Sequence, residues 1–280
     1  MSFKSKVKAY KNKPLSLVVK IITTMAAAVT LGVILLIVLY ILVKGVPHIK
    51  LDLFELTYTT ENVSLMPALI NTLIAVVLAL IVAAPIGIFS AIYLAEYAKK
   101  TNKVVGVIRL TSETLSGVPS IVYGLFGLLF FVTTLGLGFS ILAGTLTLAI
   151  MILPLIMRTT EEALNSVPDT YREASFGLGA GRLRTVFKIV LPAARPGILA
   201  GIILAIGRIV GESAALLYTA GSVAQIPSSL TSSGRTLSVH MYALSSEGLY
   251  TNEAYATAVI LLVFVLAVNG LSNLAARKLR

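Results

Sequence analysis

The residues that could do chemistry are few. The 280-residue chain has no cysteine and only two histidines, His48 and His240. It therefore offers no thiolate, no disulfide and no closely spaced imidazole pair for a metal. No Gly-x-x-x-x-Gly-Lys-Ser/Thr stretch is present to cradle a nucleotide phosphate. What remains is a charged pair in an apolar setting, Arg208 and Glu212, in the run Gly207-Arg-Ile-Val-Gly-Glu-Ser-Ala-Ala. On one helix that spacing puts both side chains on one face. A guanidinium can bind an oxyanion through two parallel hydrogen bonds. Arg208 is thus a candidate anion ligand, and Glu212 would hold it in place or prevent trapping of the anion. Ser213 and Ser120 could add hydroxyl donors. The competing structural readings are mutual neutralisation of the pair and hydroxyls bonded to their own helix. Arginine before glutamate is the poorer order for such neutralisation.

The elements that position these residues are apolar. Hydrophobic residues make up 57% of the chain and charged residues 12%, against about a quarter charged in soluble domains. Crossing a hydrocarbon layer of about 30 Å takes roughly 20 apolar residues at about 1.5 Å each. The uncharged stretches predict an all-α polytopic membrane protein with six transmembrane helices, at residues 21–43, within 65–94, and at 118–134, 139–157, 197–219 and 254–276. The third and fourth share one uncharged run, in which Gly136 and Gly138 supply the turn. Pro67, Pro85 and Pro119 are placed to start or kink helices. The spacings Gly197/Gly201 and Gly207/Gly211 allow close packing, within this chain or against a second one. Arg208 falls roughly 16 Å into its span, near the midplane, where a charge costs at least about 2.5–3.5 kcal/mol.

Basic residues set an orientation. With the amino terminus inside, 19 Lys and Arg fall in cytoplasmic segments and only Lys44, Lys50 and Arg235 outside. This predicts that both termini are cytoplasmic. The net charge of +11 then reads as topology and attraction to anionic membrane lipid, with no nucleic acid as partner. The first apolar run is too long for a cleaved signal peptide. The expected organisation is a basic cytoplasmic segment at 1–20 and a membrane domain at 21–280, with a polar loop at about 158–195. The serine- and threonine-rich loop 221–253 should lie partly against the mouth of the spans.

The loop 158–195 is the most polar internal segment. Thr170 and Glu173 after Pro168 form a capping box, which predicts a short helix from near Thr170. Gly177, Gly179 and Gly181 limit its length and permit a reversal. Such a helix would present the small residues Ala174 and Ser175 to a groove on another protein. The plain alternative is an ordinary structured loop.

The spacing Glu173-Ala174-Ser175, three residues, Gly179, nine residues, Ile189, one residue, Leu191-Pro192 resembles the EAA motif of ATP-binding-cassette importer permeases. Ser175 departs from the family's second alanine. Further stretches, 84–97 and 115–127 (Leu-Ser-Gly-Val-Pro-Ser-Ile-Val-Tyr-Gly-Leu-Phe-Gly), resemble the phosphate permeases of the PstA/PstC family. Residues 207–220 and 237–242 tilt the likeness to the PstA type. The resemblance implies a non-catalytic permease subunit in a prokaryotic inner membrane, with a type I importer fold. It implies that the EAA loop docks on an ATPase dimer (PstB-like) that carries ATP and Mg. The other implied partners are a second permease (PstC-like), a phosphate-binding protein (PstS-like) and phosphate itself. The alternatives are import of another oxyanion, molybdate or sulfate, or ion-coupled secondary transport with Glu212 as proton carrier.

Overall fold

The computed structural model describes residues 14–99 and 102–278, which are helical with no strand among them. Most of the expected basic amino-terminal segment lies outside these residues. Five helices are long and apolar enough to cross a membrane, and a sixth crossing is completed by a bent pair.

The first helix, α1 (Pro14–Gly45), is already formed at residue 14, seven residues before the apolar run expected from sequence. Most of its apolar surface is uncovered. It leans on the last helix, α11 (Thr251–Lys278), where Tyr40 meets Tyr255 edge-on at 5.9 Å. Gly45 permits this contact, because a Cβ there would run into the Tyr255 backbone and Val259.

The centre of the bundle is α2 (Met66–Ile92) against α5 (Ile141–Asn165), with α8 (Leu191–Val210) across them. Ala75, Ala79, Ala83, Gly87 and Ala91 form a buried stripe of small residues along α2. Residues four apart share a helix face, and small ones let two helix backbones approach closely. A Cβ on Gly87 would come within 2.9 Å of Ile156. Leu148, Met151, Ile152 and Ile156 of α5 fill the space opposite, with Ala205 and Ile209 of α8. Gly197 and Gly201 pack against Ala163 and Thr159, so this first glycine pair serves packing within the chain. Gly207 and Gly211 do not: a Cβ on either would meet nothing closer than 3.6 Å.

The prolines divide as their positions dictate. Pro67 sits in the first turn of α2 and Pro85 inside it. Pro119 precedes α4 (Ser120–Gly127), which continues as a π-helical turn to Thr134. Before it, α3 (Lys103–Ser116) is capped by Asn102, whose side chain accepts from Val104 N at 3.0 Å. The two helices meet at 102°. The third crossing is therefore part of a bent pair, because Gly117 and Pro119 end one helix and begin another. Gly136 and Gly138 make the following turn with positive φ, +67° and +63°. The fourth crossing runs eight residues past its expected end, to Asn165. There its polar last turns serve the loop that follows.

The fifth crossing departs most from expectation. Arg182–Val210 form one apolar helical stretch, built from α7 (Arg182–Thr185), a π-helical turn at Val186–Val190 and α8. It stops at Val210 instead of continuing to 219. The chain then makes only α9 (Ala214–Leu217). The loop that follows lies partly against the bundle, as expected. It carries α10 (Leu237–Glu247), and residues 234–240 are buried throughout. Val239 joins the central core beside Ile209 and Val210.

Candidate coupling surface and substrate path

The loop after α5 folds into α6 (Asp169–Gly177). Its start corrects the capping-box expectation: Pro168 is the residue before the helix, and no side chain caps it. Proline's fixed φ already sets the entry, which leaves Thr170 inside the first turn. The reversal after α6 falls at Gly179, which has φ +81°, whereas Gly177 and Gly181 keep ordinary backbone. An L-residue side chain is strained at that φ.

The outward face of α6 carries Thr170, Glu173, Ala174 and Gly177, all exposed. Among the described residues Glu173 has no side-chain hydrogen bond or ion pair. Beside this face, Leu178 is 90% exposed and Phe176 and Tyr171 are about half exposed. A helix with small residues outward and uncovered apolar residues on its flank suits insertion into a groove on another chain. Ser175 is the exception to the sequence expectation. It is buried, and its hydroxyl pairs with that of Thr185 at 2.8 Å. Serine in place of the family's alanine thus joins α6 to α7 and does not face a partner.

The inward face is held by Arg172, which sequence reasoning missed. Its Nη2 donates to Glu96 Oε1 at 2.6 Å and to Leu164 O at 2.9 Å. Nη1 donates to Val167 O at 2.8 Å and to Asp169 Oδ1 at 3.1 Å. Nε donates to the two Glu96 oxygens at 3.2 and 3.3 Å. All five guanidinium N–H groups are therefore used. One side chain joins α6 to the end of α5 and to the π-helical turn Tyr93–Tyr97 that ends α2. Glu96 is buried, and Arg182 lies over the neighbouring Tyr97 ring at 5.4 Å. These contacts tie α6 to the helices of the core. The signal available in sequence was a glutamate closing an apolar span, and the nearby Lys99 and Lys100 offered themselves as its partners ahead of the distant Arg172.

The other motif residues are structural in placement. Ile189 is half-buried in the π-helical turn. Leu191 packs against the cluster of Leu164, Val167 and Val190. Pro192 is the second residue of α8, directly after the π-helical turn, so its missing N–H falls inside the continuous stretch Arg182–Val210. A cleft of about 800 Å³ opens beside α6, lined by Glu96, Arg109, Glu161, Arg158 and Arg172 among others. Its charges are matched, for example by Arg109–Glu161 at 2.6 Å and Arg158–Glu162 at 2.9 Å.

Arg208 and Glu212 are not a pair on one helix. Arg208 is in the last turn of α8, and Glu212 lies past its end. Glu212 is 8% exposed and its Oε1 accepts from Ala215 N at 3.0 Å, so it satisfies one of the free amides that begin α9. Arg208 is half-buried, and among the described residues it forms no ion pair with any carboxylate. Its depth follows from its neighbour. A Cβ on Gly207 would meet Asn269 Oδ1 at 3.9 Å, and Asn269 lies roughly 27 Å along α11 from Thr251 and about 13 Å from Lys278. Arg208 is thus a cation without a carboxylate partner among the described residues, at the end of a helix long and apolar enough to cross a membrane.

Ser213 directly precedes α9 without capping it, and Ser120 begins α4. These two helices pack together, since a Cβ on Gly124 would come within 2.9 Å of Ala215 Cα. The fold therefore gathers the starts of α4 and α9 and the end of α8 into one region.

Three comparisons bear on this arrangement. The sequence profile described as "Binding-protein-dependent transport system inner membrane component" matches residues 83–280. The probable ABC transporter permease protein YqgI of Bacillus subtilis is 34% identical, over 91% of this chain and 94% of that protein. The phosphate transport system permease protein PstA of Xylella fastidiosa is 36% identical, over 81% and 80%. A solved bacterial ABC transporter for import of the acidic polysaccharide alginate shares the fold, with TM-score 0.67 over 98% of this chain and 99% of that one, at 18% identity. The matched profile takes in the α6 loop, α8 and the broken segment after it, and the chain belongs to the family of binding-protein-dependent transport system inner membrane components.

Proposed function

We propose that this chain is the membrane-spanning, PstA-type permease subunit of an ATP-driven importer of inorganic phosphate, working by alternating access. The observation that carries the reading is Arg208, a guanidinium without a carboxylate partner inside the spanning layer of a protein of this family. Such a group is expensive there unless it meets an anion or water, and its fork matches an oxyanion. The PstA names among its relatives select phosphate within the oxyanions.

On this reading the chain itself does no chemistry. ATP and Mg belong to a PstB-like ATPase dimer that receives α6. A PstC-like permease completes the path, and a PstS-like protein delivers phosphate from the opposite side. Closure of the ATPase dimer moves α6, and the Arg172 clamp carries that movement to α2 and α5. Ion-coupled transport through Glu212 is disfavoured, because that carboxylate is already engaged at the start of α9.

The orientation is tested in this cysteine-free chain with single cysteines at Ser166 and Ser229, both exposed. A membrane-impermeant thiol reagent added to intact cells is expected to label Ser229→Cys, and to label Ser166→Cys only after permeabilisation. Labelling of both without permeabilisation would contradict cytoplasmic placement of α6.

A further inference from the structure

The buried segment before and at the start of α10 holds a second uncompensated cation. Arg235 is 5% exposed. Its guanidinium lies over the Tyr58 ring at 4.7 Å, yet its Nε and Nη2 have no hydrogen-bond partner. No carboxylate lies within ion-pair distance among the described residues. Desolvating a guanidinium is costly, and a cation–π contact offsets only part of that cost.

The neighbours of Arg235 are left unsatisfied too. Thr236, directly before α10, makes no capping bond, and its hydroxyl lacks a partner. His240 packs edge-on against the same Tyr58 ring at 6.0 Å. Neither of its ring nitrogens has a well-formed hydrogen bond, the Val63 backbone being the nearest candidate. Burial first, and the Arg235 charge second, hold the imidazole well below its ordinary pKa. It is therefore a neutral side chain with one N–H to give. The start of α10 adds partial positive charge nearby, although the Leu237 amide there already donates to Thr72 Oγ1 at 2.9 Å.

This cluster adjoins the substrate region. Ser238 donates to the carbonyl of Gly211 at 3.1 Å, just past the end of α8 and one turn beyond Arg208.

We infer that Arg235, Thr236 and His240 form a second oxyanion station, which inorganic phosphate occupies before it reaches Arg208. The inference rests on the phosphate reading above. The Arg235 guanidinium and the His240 imidazole share the Tyr58 ring, and the Thr236 hydroxyl adjoins Arg235 in the chain, so three buried side chains with unsatisfied N–H or O–H groups occur together. That is the complement of a tetrahedral oxyanion. Two stations of like charge also let an arriving anion weaken the hold on the one ahead of it.

The test uses the assembled complex in proteoliposomes with the binding protein present. Wild type must take up phosphate; if it does not, the phosphate reading fails and the station fails with it. Given uptake, Arg235→Met is the decisive variant. It keeps bulk and removes a buried cation, so a purely structural Arg235 predicts normal assembly and normal uptake. The station predicts assembly with uptake lowered at least about tenfold, one good charge-assisted contact, and partial recovery in Arg235→Lys.

A second readout does not depend on that variant folding. Thr236→Cys is treated with a small thiol reagent during turnover. Phosphate is expected to slow modification several-fold, and chloride at equal ionic strength is not. A rate that phosphate leaves unchanged, including a thiol that never reacts, overturns the station. So does unimpaired uptake by Arg235→Met. Failure of that variant to assemble, with no phosphate protection of Thr236→Cys, would assign Arg235 to a carboxylate of a partner chain instead.

Discussion

Arg172→Gln is expected to lower ATP-driven uptake by a factor of about ten or more, and to leave the spans inserted. The change breaks the link between α6 and the Glu96 carboxylate and leaves Glu96 buried without its cation. Removing one partner of a buried ion pair costs about 3 kcal/mol or more, here at the joint between α6 and α2. ATP hydrolysis by the assembled complex should continue with little response to the loaded binding protein, because α6 would no longer move the core with it. Glu96→Gln together with Arg172→Gln removes the stranded charge. A double-mutant cycle should then show coupling between the two positions, with stability recovering more than uptake. If Arg172→Gln imported at the wild-type rate, the clamp would not be part of transmission. Charge reversal at both positions is a weaker probe, since Arg172 also serves Leu164, Val167 and Asp169.

The second large effect is at Arg208. Arg208→Gln is expected to abolish phosphate uptake while the complex still assembles, since no carboxylate depends on this arginine. The contacts of Glu212 decide what a double variant tests. Glu212 is bonded to Ala215 N and not to Arg208, so Glu212→Gln keeps an acceptor for that amide and should be mild. Arg208→Gln with Glu212→Gln should therefore remain inactive. Arg208→Lys retains charge without the planar fork and should show intermediate uptake with a raised KM. Recovery of uptake in the doubly neutral variant would show that the two charges balance one another functionally and that Arg208 does not hold the anion. Complex yield, measured alongside, separates loss of transport from loss of assembly.

Much of this arrangement is legible in the chain, and what is not has identifiable causes. The apolar runs locate the spans because charge is so costly in hydrocarbon that its absence marks them. Gly136, Gly138 and Gly179 mark turns because positive φ has few other occupants. The stripe Ala75, Ala79, Ala83, Gly87 and Ala91 has the four-residue spacing of a packing face, and α5 is what it packs against. Three features were hidden. The end of α8 at Val210 is set by tertiary packing of Glu212, α9 and α10 within the bundle, whereas Gly211 alone is compatible with a continuing helix. The burial of residues 234–240 cannot be read from a serine- and threonine-rich composition, which is equally that of a solvated loop. The Glu96–Arg172 pair joins residues 76 apart in sequence, beyond the reach of any local pattern. Ser175 illustrates the same limit. Its small size suggested a docking face, and only the fold shows Thr185 waiting for its hydroxyl.

The central claim, that this permease passes phosphate, is tested most directly by uptake in a defined system. The chain is purified with its partner subunits, reconstituted into proteoliposomes, and supplied with ATP, the binding protein and radiolabelled phosphate. Accumulation of phosphate that requires ATP and persists in an excess of sulfate and molybdate is the predicted result. Accumulation of labelled sulfate or molybdate by the same vesicles, with none of phosphate, would contradict it.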